Sequence, residues 1–245
     1  MASPVLAATA VTNVATAGDP LSVNLPAGMS VGDLLLHFTR TPTGQNTSVP
    51  ASTDSGPWTL FAQDTSDASD DLTQAYWAQV HGGEGATMQW DMGGSTKLAS
   101  ITARITGAAD PTVRPPADSA VTIGTTANAN PGLFTPSTPA GTFDFLWISF
   151  LGLDSETATF TQPAGYTTRV VANTGTAGAV SANCMIAIAS KQSTAASEDP
   201  GAWTSSAPNA GFAAFTIAVY PTIPTVPNPN PLYLRRRGHR FLRMR

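Results

Sequence analysis

Residues 100–107 read SITARITG, and this stretch carries the pattern that decides the fold class. Its apolar side chains, Ile101, Ala103 and Ile105, occupy every second position, with polar side chains between them. Side chains of a β-strand point alternately to the two faces of a sheet. The stretch therefore predicts a strand that turns one face to a core and the other face away from it.

Further short apolar runs along the chain have the length and composition of strands. They are DLLLHFTR (33–40), QAYWAQV (74–80), ATMQWDM (86–92), FDFLWISFLG (143–152), ANCMIAIAS (182–190) and AAFTIAVYP (213–221). Clusters of Gly, Pro, Asn, Asp and Ser separate these runs, as turns separate strands. No segment shows the sustained periodicity of an amphipathic helix, so the sequence predicts an all-β fold.

Several landmarks recur in the same order in the second half of the chain, at offsets of 108 to 114 residues. The tripeptide PAG occurs at 26–28 and again at 139–141, and Trp90 has a counterpart in Trp203. A recurrence at a fixed spacing indicates an internal repeat. Each half is therefore expected to supply its own set of strands, in the same order.

The two halves are expected to form the two sheets of one sandwich, because a sheet with one apolar face is stable only when that face is covered. The prediction is a single jelly-roll-like β-sandwich domain over residues 1–221, with pseudo-repeats at about 20–107 and 120–221. Two independent domains are the alternative. Their boundary would be the Pro-rich crossover GAADPTVRPPADS (107–119).

Charge divides the chain into a body and a C-terminal arm, residues 222–245. Six of its twelve basic residues lie in the last eleven positions, so a formal charge of −4 becomes about −10 for the body alone. Charged residues make up only 11% of the chain, below the quarter usual in soluble domains. The one cysteine, Cys184, lies in an apolar run and is expected to be a buried thiol.

A search for catalytic and metal-binding groups favours a protein without enzymatic activity or cofactor. Of the three histidines, His37 alternates within a strand, His81 opens the turn HGGEG close to Glu84, and His239 lies in the arm. The pair His81 and Glu84 could bind a metal or transfer protons, but residues in such a turn are more commonly solvated. No nucleophile, phosphate-binding or dinucleotide-binding motif is present.

The acidic run QDTSDASDD (63–71) raises the question of a calcium site. Its carboxylates do not have the spacing of an EF-hand, and no glycine or closing glutamate follows at the required positions. The sequence therefore favours a solvated hairpin loop there. The aspartates concerned are Asp64, Asp67, Asp70 and Asp71.

The landmarks together resemble a family of proteins. They are PAGMSVGDLLL (26–36), the aromatic-Thr pair at 58–59, the YW pair at 76–77, Trp90, the strand end ITGAADP (105–111) and a weaker second copy. This order is similar to that of the jelly-roll-like β-sandwich domains found among structural proteins of tailed bacteriophages, and the resemblance covers about residues 5–221. It implies a virion protein of the head surface or the tail, often oligomeric, and no catalytic activity.

The arm combines a spacer with a basic, apolar end. Five prolines in PTIPTVPNPNP (221–231) favour an extended polyproline II segment. Beyond it, apolar side chains alternate with arginines, which suits docking into a groove of a partner protein, where arginines pair with carboxylates. The residues expected to bind a partner are Leu232, Tyr233, Leu234, Arg235, Arg236, Arg237, Arg240, Phe241, Leu242, Arg243 and Arg245. A disordered solubilising tail and a DNA-binding tail are the alternatives.

Three functions from different classes follow. The first is a virion structural protein, a capsid decoration, spike or minor tail subunit, made in the bacterial host cytoplasm and held in the particle by the arm. It is expected to contact other virion proteins, to form a trimer or pentamer and not to bind a membrane. The second is a glycan-binding adhesion module for a host surface, since five tryptophans could stack on sugar rings. The third is a hydrolase on the same sandwich.

Overall fold

The computed structural model describes residues 2–42, 57–64, 71–92, 94, 96–137, 141–155, 157–175, 183–207 and 211–222. These residues form sixteen β-strands and no helix. The first seven strands are β1 (Val5–Gly18), β2 (Leu21–Asn24), β3 (Leu34–Thr41), β4 (Thr59–Asp64), β5 (Leu72–Gln79), β6 (Thr87–Trp90) and β7 (Thr96–Thr106). The other nine are β8 (Ala117–Asp118), β9 (Thr122–Gly124), β10 (Asn128–Ala129), β11 (Phe143–Leu153), β12 (Phe160–Thr161), β13 (Thr167–Asn173), β14 (Met185–Ala195), β15 (Trp203–Ser205) and β16 (Phe212–Val219).

Two antiparallel sheets make up most of the molecule. Sheet 1 has the order β1-β7-β3-β5-β4, and sheet 2 has the order β13-β14-β11-β16-β8, with β9 also paired to β16. Strand β3 is central in sheet 1 and β11 is central in sheet 2. The predicted all-β class is therefore confirmed. No described helix could cross a membrane.

The two sheets pack face to face around the main core. Alternate residues of β3 and β11 point into it, and the rings of Phe38 and Phe150 stack there at a centroid distance of 5.6 Å. Ile101, Ala103 and Ile105 line the same core, as their alternation predicts. At one edge of the sandwich, the backbone N–H of Asn173 donates to Oδ1 of Asn13, at 2.9 Å.

The jelly-roll part of the prediction does not match the strand order. Successive strands of a jelly roll pass between two sheets through Greek-key connections. Here β1, β3, β4, β5 and β7 all belong to sheet 1, and every strand of sheet 2 comes from after residue 116. Each large sheet is therefore built from one continuous part of the chain.

A further layer covers the outer face of each large sheet. The two-stranded sheet β2-β6 lies over sheet 1 and buries Trp90, and the small sheet β10-β15-β12 lies over sheet 2 and buries Trp203. The central strands are consequently buried on both faces, which explains why LLLHF and FLWISF are apolar at nearly every position, with only His37 and Ser149 as polar members. Alternation in SITARITG suggested an open polar face, yet Ser100 and Thr102 are fully buried under β2-β6.

The outer layers differ in how they accommodate their buried tryptophan. In sheet 2, Nε1 of Trp203 donates to the hydroxyl of Ser149, at 2.7 Å. In sheet 1, Trp90 packs against the ring of His37 at a centroid distance of 4.4 Å, and Nδ1 of His37 lies 2.9 Å from the hydroxyl of Thr102. Complete burial lowers the pKa of His37 from 6.5 to about 3, so the ring is neutral at physiological pH.

This burial predicts a loss of stability in mild acid. Below pH 6.5 the unfolded chain binds a proton at His37, whereas the folded protein binds it only near pH 3. Lowering the pH from 7 to 5 should therefore reduce the free energy of unfolding by about 2 kcal/mol through this residue alone. Replacing His37→Gln should remove that part of the pH dependence, as measured by denaturant unfolding across this range.

The exposed His81 provides the matched control for this measurement. His81→Gln makes the same substitution at an exposed position, so it controls for the loss of an imidazole as such. If the unfolding free energy of His37→Gln fell between pH 7 and 5 as steeply as that of the wild type, titration of His37 would not be the cause.

Candidate functional site

One end of the sandwich holds the beginning of the described chain, the crossover between the halves and the last described residue. The hydroxyl of Thr222 lies 3.2 Å from the carbonyl oxygen of Ala2 and 3.1 Å from that of Gly107. The neighbouring residues Ala108 and Pro221 form an antiparallel bridge. This place is called the junction end below, and from it the chain continues into the arm.

Gly107 is required for this arrangement. Its φ of +69° lies in the left-handed region, which side chains other than glycine rarely adopt. A Cβ atom there would also lie 2.5 Å from the carbonyl oxygen of Ser3. The glycine therefore allows the N-terminal segment to lie directly against the start of the crossover, where Thr222, the last described residue, also lies.

All the residues predicted to bind a partner lie outside the described residues. They are Leu232, Tyr233, Leu234, Arg235, Arg236, Arg237, Arg240, Phe241, Leu242, Arg243 and Arg245. What the structure adds is the position of Thr222, from which they follow. His239, which also belongs to the arm, lies outside the described residues as well.

The opposite end of the sandwich, called the loop end, is formed by strand ends that lead into inter-strand connections. Strand β4 ends there at Asp64 and β5 begins at Leu72, while β13 ends at Asn173 and β14 begins at Met185. Binding loops of sandwich proteins commonly cluster at one end of the sheets. The loop end therefore lies a full strand length away from the point where the arm begins.

A buried ion pair lies beneath the loop end, between the two sheets. The guanidinium of Arg40 contacts Oδ2 of Asp71 with Nε and Nη2, both at 3.1 Å, and its Nη1 donates to the hydroxyl of Thr73, at 2.7 Å. Both charged side chains are fully buried. In sheet 2, Gly152 leaves room for this group, because a Cβ atom there would lie 3.0 Å from Cδ of Arg40.

The acidic run is therefore not simply the solvated loop that the sequence suggested. Asp64 and Asp71, at its two ends, are buried, and the reason is that Arg40 of the adjacent strand holds one of them in an ion pair. Asp67 and Asp70 lie outside the described residues. Within the described part of the chain, no group of three His, Cys, Asp or Glu side chains could hold a metal ion.

Cys184 belongs to the same buried region. Its thiol donates to the carbonyl oxygen of Arg40, with a sulfur–oxygen distance of 3.2 Å, and burial raises the pKa of the thiol well above its usual value. Thiolates are the nucleophilic form of cysteine. The predicted inert, buried thiol is thus consistent with the environment of Cys184.

The ion pair predicts a large stability loss when one partner is removed. Asp71→Ala should lower the free energy of unfolding by about 3–5 kcal/mol, because Arg40 would remain buried without its countercharge. The exposed Asp199→Ala should change it by less than about 0.5 kcal/mol. Urea unfolding of the three proteins tests this, and equal stabilities of Asp71→Ala and Asp199→Ala would show that the pair contributes little.

A groove of about 490 Å³ opens in the crossover at the junction end, and it was not predicted from the sequence. Val113, Pro115, Pro116 and Phe134 provide apolar walls, and Asp118 provides a carboxylate. Partial burial raises the pKa of Asp118 from 3.8 to about 6. A Pro-Pro pair before a short strand was the signal available in the sequence, but it does not reveal which later residues complete the groove.

Arg114 forms one side of this groove. Its guanidinium lies over the rings of Phe143 and Tyr220, with its central carbon 5.5 and 5.3 Å from the ring centres. Its Nη1 is buried and has no hydrogen-bond partner among the described residues. Arg114 thus connects the groove with the rings of Phe143 and Tyr220 through cation–π contacts.

The turn that contains His81 and Glu84 has a structural explanation. The Glu84 carboxylate accepts hydrogen bonds from the backbone N–H groups of His81, at 2.6 Å, and Gly82, at 2.9 Å. Gly82 and Gly83 both have positive φ, which the tight turn requires. The Glu84 carboxylate therefore stabilises the turn in which it lies.

The tryptophans pack mainly inside the protein. Trp58, Trp90, Trp147 and Trp203 are at least 96% buried, and Trp77 is partly buried against the main core. A tryptophan binds a sugar by exposing a flat ring face. These four rings would have to leave the core to do so, which weakens the observation on which the glycan-binding alternative rests.

Comparisons with other proteins give no relative. No family model, no curated protein and no solved structure matches the chain. The arguments for a function therefore come from the residues of this chain and from the geometry of the junction end, the loop end and the groove.

Proposed function

We propose that the protein is a non-enzymatic structural subunit of a tailed-phage virion, attached to the particle by its C-terminal arm. A capsid decoration or spike and a minor tail subunit are the two roles that fit. The observation that carries the proposal is the position of Thr222, which the carbonyl groups of Ala2 and Gly107 hold at one end of a sandwich with layers on both outer faces.

The arm has the chemistry of an attachment segment. Residues 223–231 include four prolines, so they favour an extended spacer of about 28 Å at 3.1 Å per residue. The residues beyond combine arginines, which pair with carboxylates, and apolar side chains, which fill pockets. A tail that only solubilised the protein would gain nothing from Leu232, Tyr233 and Phe241.

Attachment through the arm would also orient the subunit on the particle. Because the arm begins at the junction end, attachment there directs the loop end outward, along the strands. The body carries a formal charge of about −10 and the arm carries +6. The body is therefore attracted to basic surfaces and the arm to acidic ones. An acidic, outward body and a basic, inward arm are the expected arrangement.

Removal of the arm is the direct test. A version ending at Thr222 should keep its thermal transition, because the described hydrogen bonds of the body remain, but should no longer co-sediment with particles that lack the endogenous protein. The full-length protein should co-sediment at low and at moderate salt. A full-length version with the six arginines replaced by glutamine is the matched control, because it removes the positive charge of the arm and keeps its length.

The outcomes separate the alternatives. Equal sedimentation of the full-length and truncated proteins would contradict the proposal and favour attachment through the sandwich, as in the glycan-binding alternative. Binding of the arm to DNA with a slope of about −5 in log affinity against log salt would favour the DNA-binding alternative, since about six phosphates would be neutralised.

A further inference from the structure

The groove at the junction end has mixed chemistry that suits an extended peptide. Its walls are apolar, and Asp118 can pair with a cation. Val113 leaves 82% of its surface exposed beside it, which is unusual for a side chain of this kind. A ligand that places apolar side chains directly beside cationic side chains would fit both features.

The chain itself contains such a segment. Residues Leu232–Arg236 read LYLRR, with apolar side chains followed directly by two arginines. Its charge is opposite to that of Asp118 and of the acidic body as a whole. We propose that this segment of one copy docks in the Val113–Asp118 groove of a second copy. This inference rests on the proposed function, because it assumes that the arm is an attachment segment. It adds that a second copy of the protein is one of the partners that the arm binds.

The length of the spacer favours a neighbouring copy over the same chain. Tyr220, two residues before Thr222, already contacts Arg114, so an extended spacer carries Leu232 away from its own groove. Five strands spaced about 4.8 Å apart make a sheet about 24 Å wide. A spacer of about 28 Å therefore reaches the equivalent groove on a copy packed alongside.

Docking of this kind joins different surfaces of the two copies, the arm of one and the groove of the next. Such heterologous contacts generate a ring when the rotation closes. The trimer or pentamer expected from the sequence would then be held by exchanged arms. The last part of the arm, Phe241–Arg245, is not used in the groove and remains for contact with the particle.

The test uses the purified full-length protein, without particles, in sedimentation velocity over a concentration series. The wild type should form a closed oligomer. Val113→Arg should weaken self-association at least about tenfold, because a charge would then stand in the apolar part of the groove beside the arginines of the arm. Val31→Arg is the matched control, since Val31 is 73% exposed at the same end and lies outside the groove. It should leave the oligomer intact.

Substitutions in the arm separate this inference from particle attachment. Arg235→Glu with Arg236→Glu should give a monomer, whereas Arg243→Glu with Arg245→Glu should keep the oligomer and lose co-sedimentation with particles. Mixing the monomeric Val113→Arg protein with the monomeric Arg235→Glu, Arg236→Glu protein should restore pairing in a 1:1 ratio. The intact groove of the second protein would then hold the intact arm of the first.

Three results would overturn the inference. They are a wild-type protein that stays monomeric at all concentrations, equal effects of Val113→Arg and Val31→Arg, and no pairing in the mixture. The first of these, combined with arm-dependent co-sedimentation, would leave the proposed function standing and reject only the second copy as partner. Circular dichroism of each variant shows whether its body is folded.

Discussion

The stacking of Phe38 on Phe150 marks the contact on which the rest of the structure depends, the packing of two sheets through their central strands. Each central strand also has an outer layer, so β3 and β11 are buried on both faces. Burial on both faces requires nearly continuous apolar sequence, which both strands have. The two-stranded outer sheet β2-β6 and the small outer sheet β10-β15-β12 complete a stack of four layers.

The sequence predicted the parts of the fold that depend on local pattern. The inner face of SITARITG is in the core as expected, because alternation of side chains is a property of the strand itself. The burial of Ser100 and Thr102 on the other face was not predicted, because it depends on an outer layer formed by β2 and β6, two strands that come earlier in the chain and lie far apart in it. The strand connections likewise depend on which strands pair, and nothing in the local pattern distinguishes them from a jelly roll.

The candidate sites divide in the same way. The basic, apolar arm stays a prediction from composition, since its residues follow Thr222, the last described residue. The buried Arg40 and the groove beside Arg114 were missed, because charged residues are usually exposed and their partners here come from other strands or later in the chain. Polar residues that are buried by tertiary packing are the ones that the sequence pattern predicts least well.

Gly152 shows how far the two sheets have become specialised for each other. Sheet 1 places a guanidinium in the shared interior, and sheet 2 provides the position without a side chain that accommodates it. The halves are therefore complementary parts and are not interchangeable. A protein assembled from two copies of the N-terminal half would have two buried arginines facing each other and no vacant position for either.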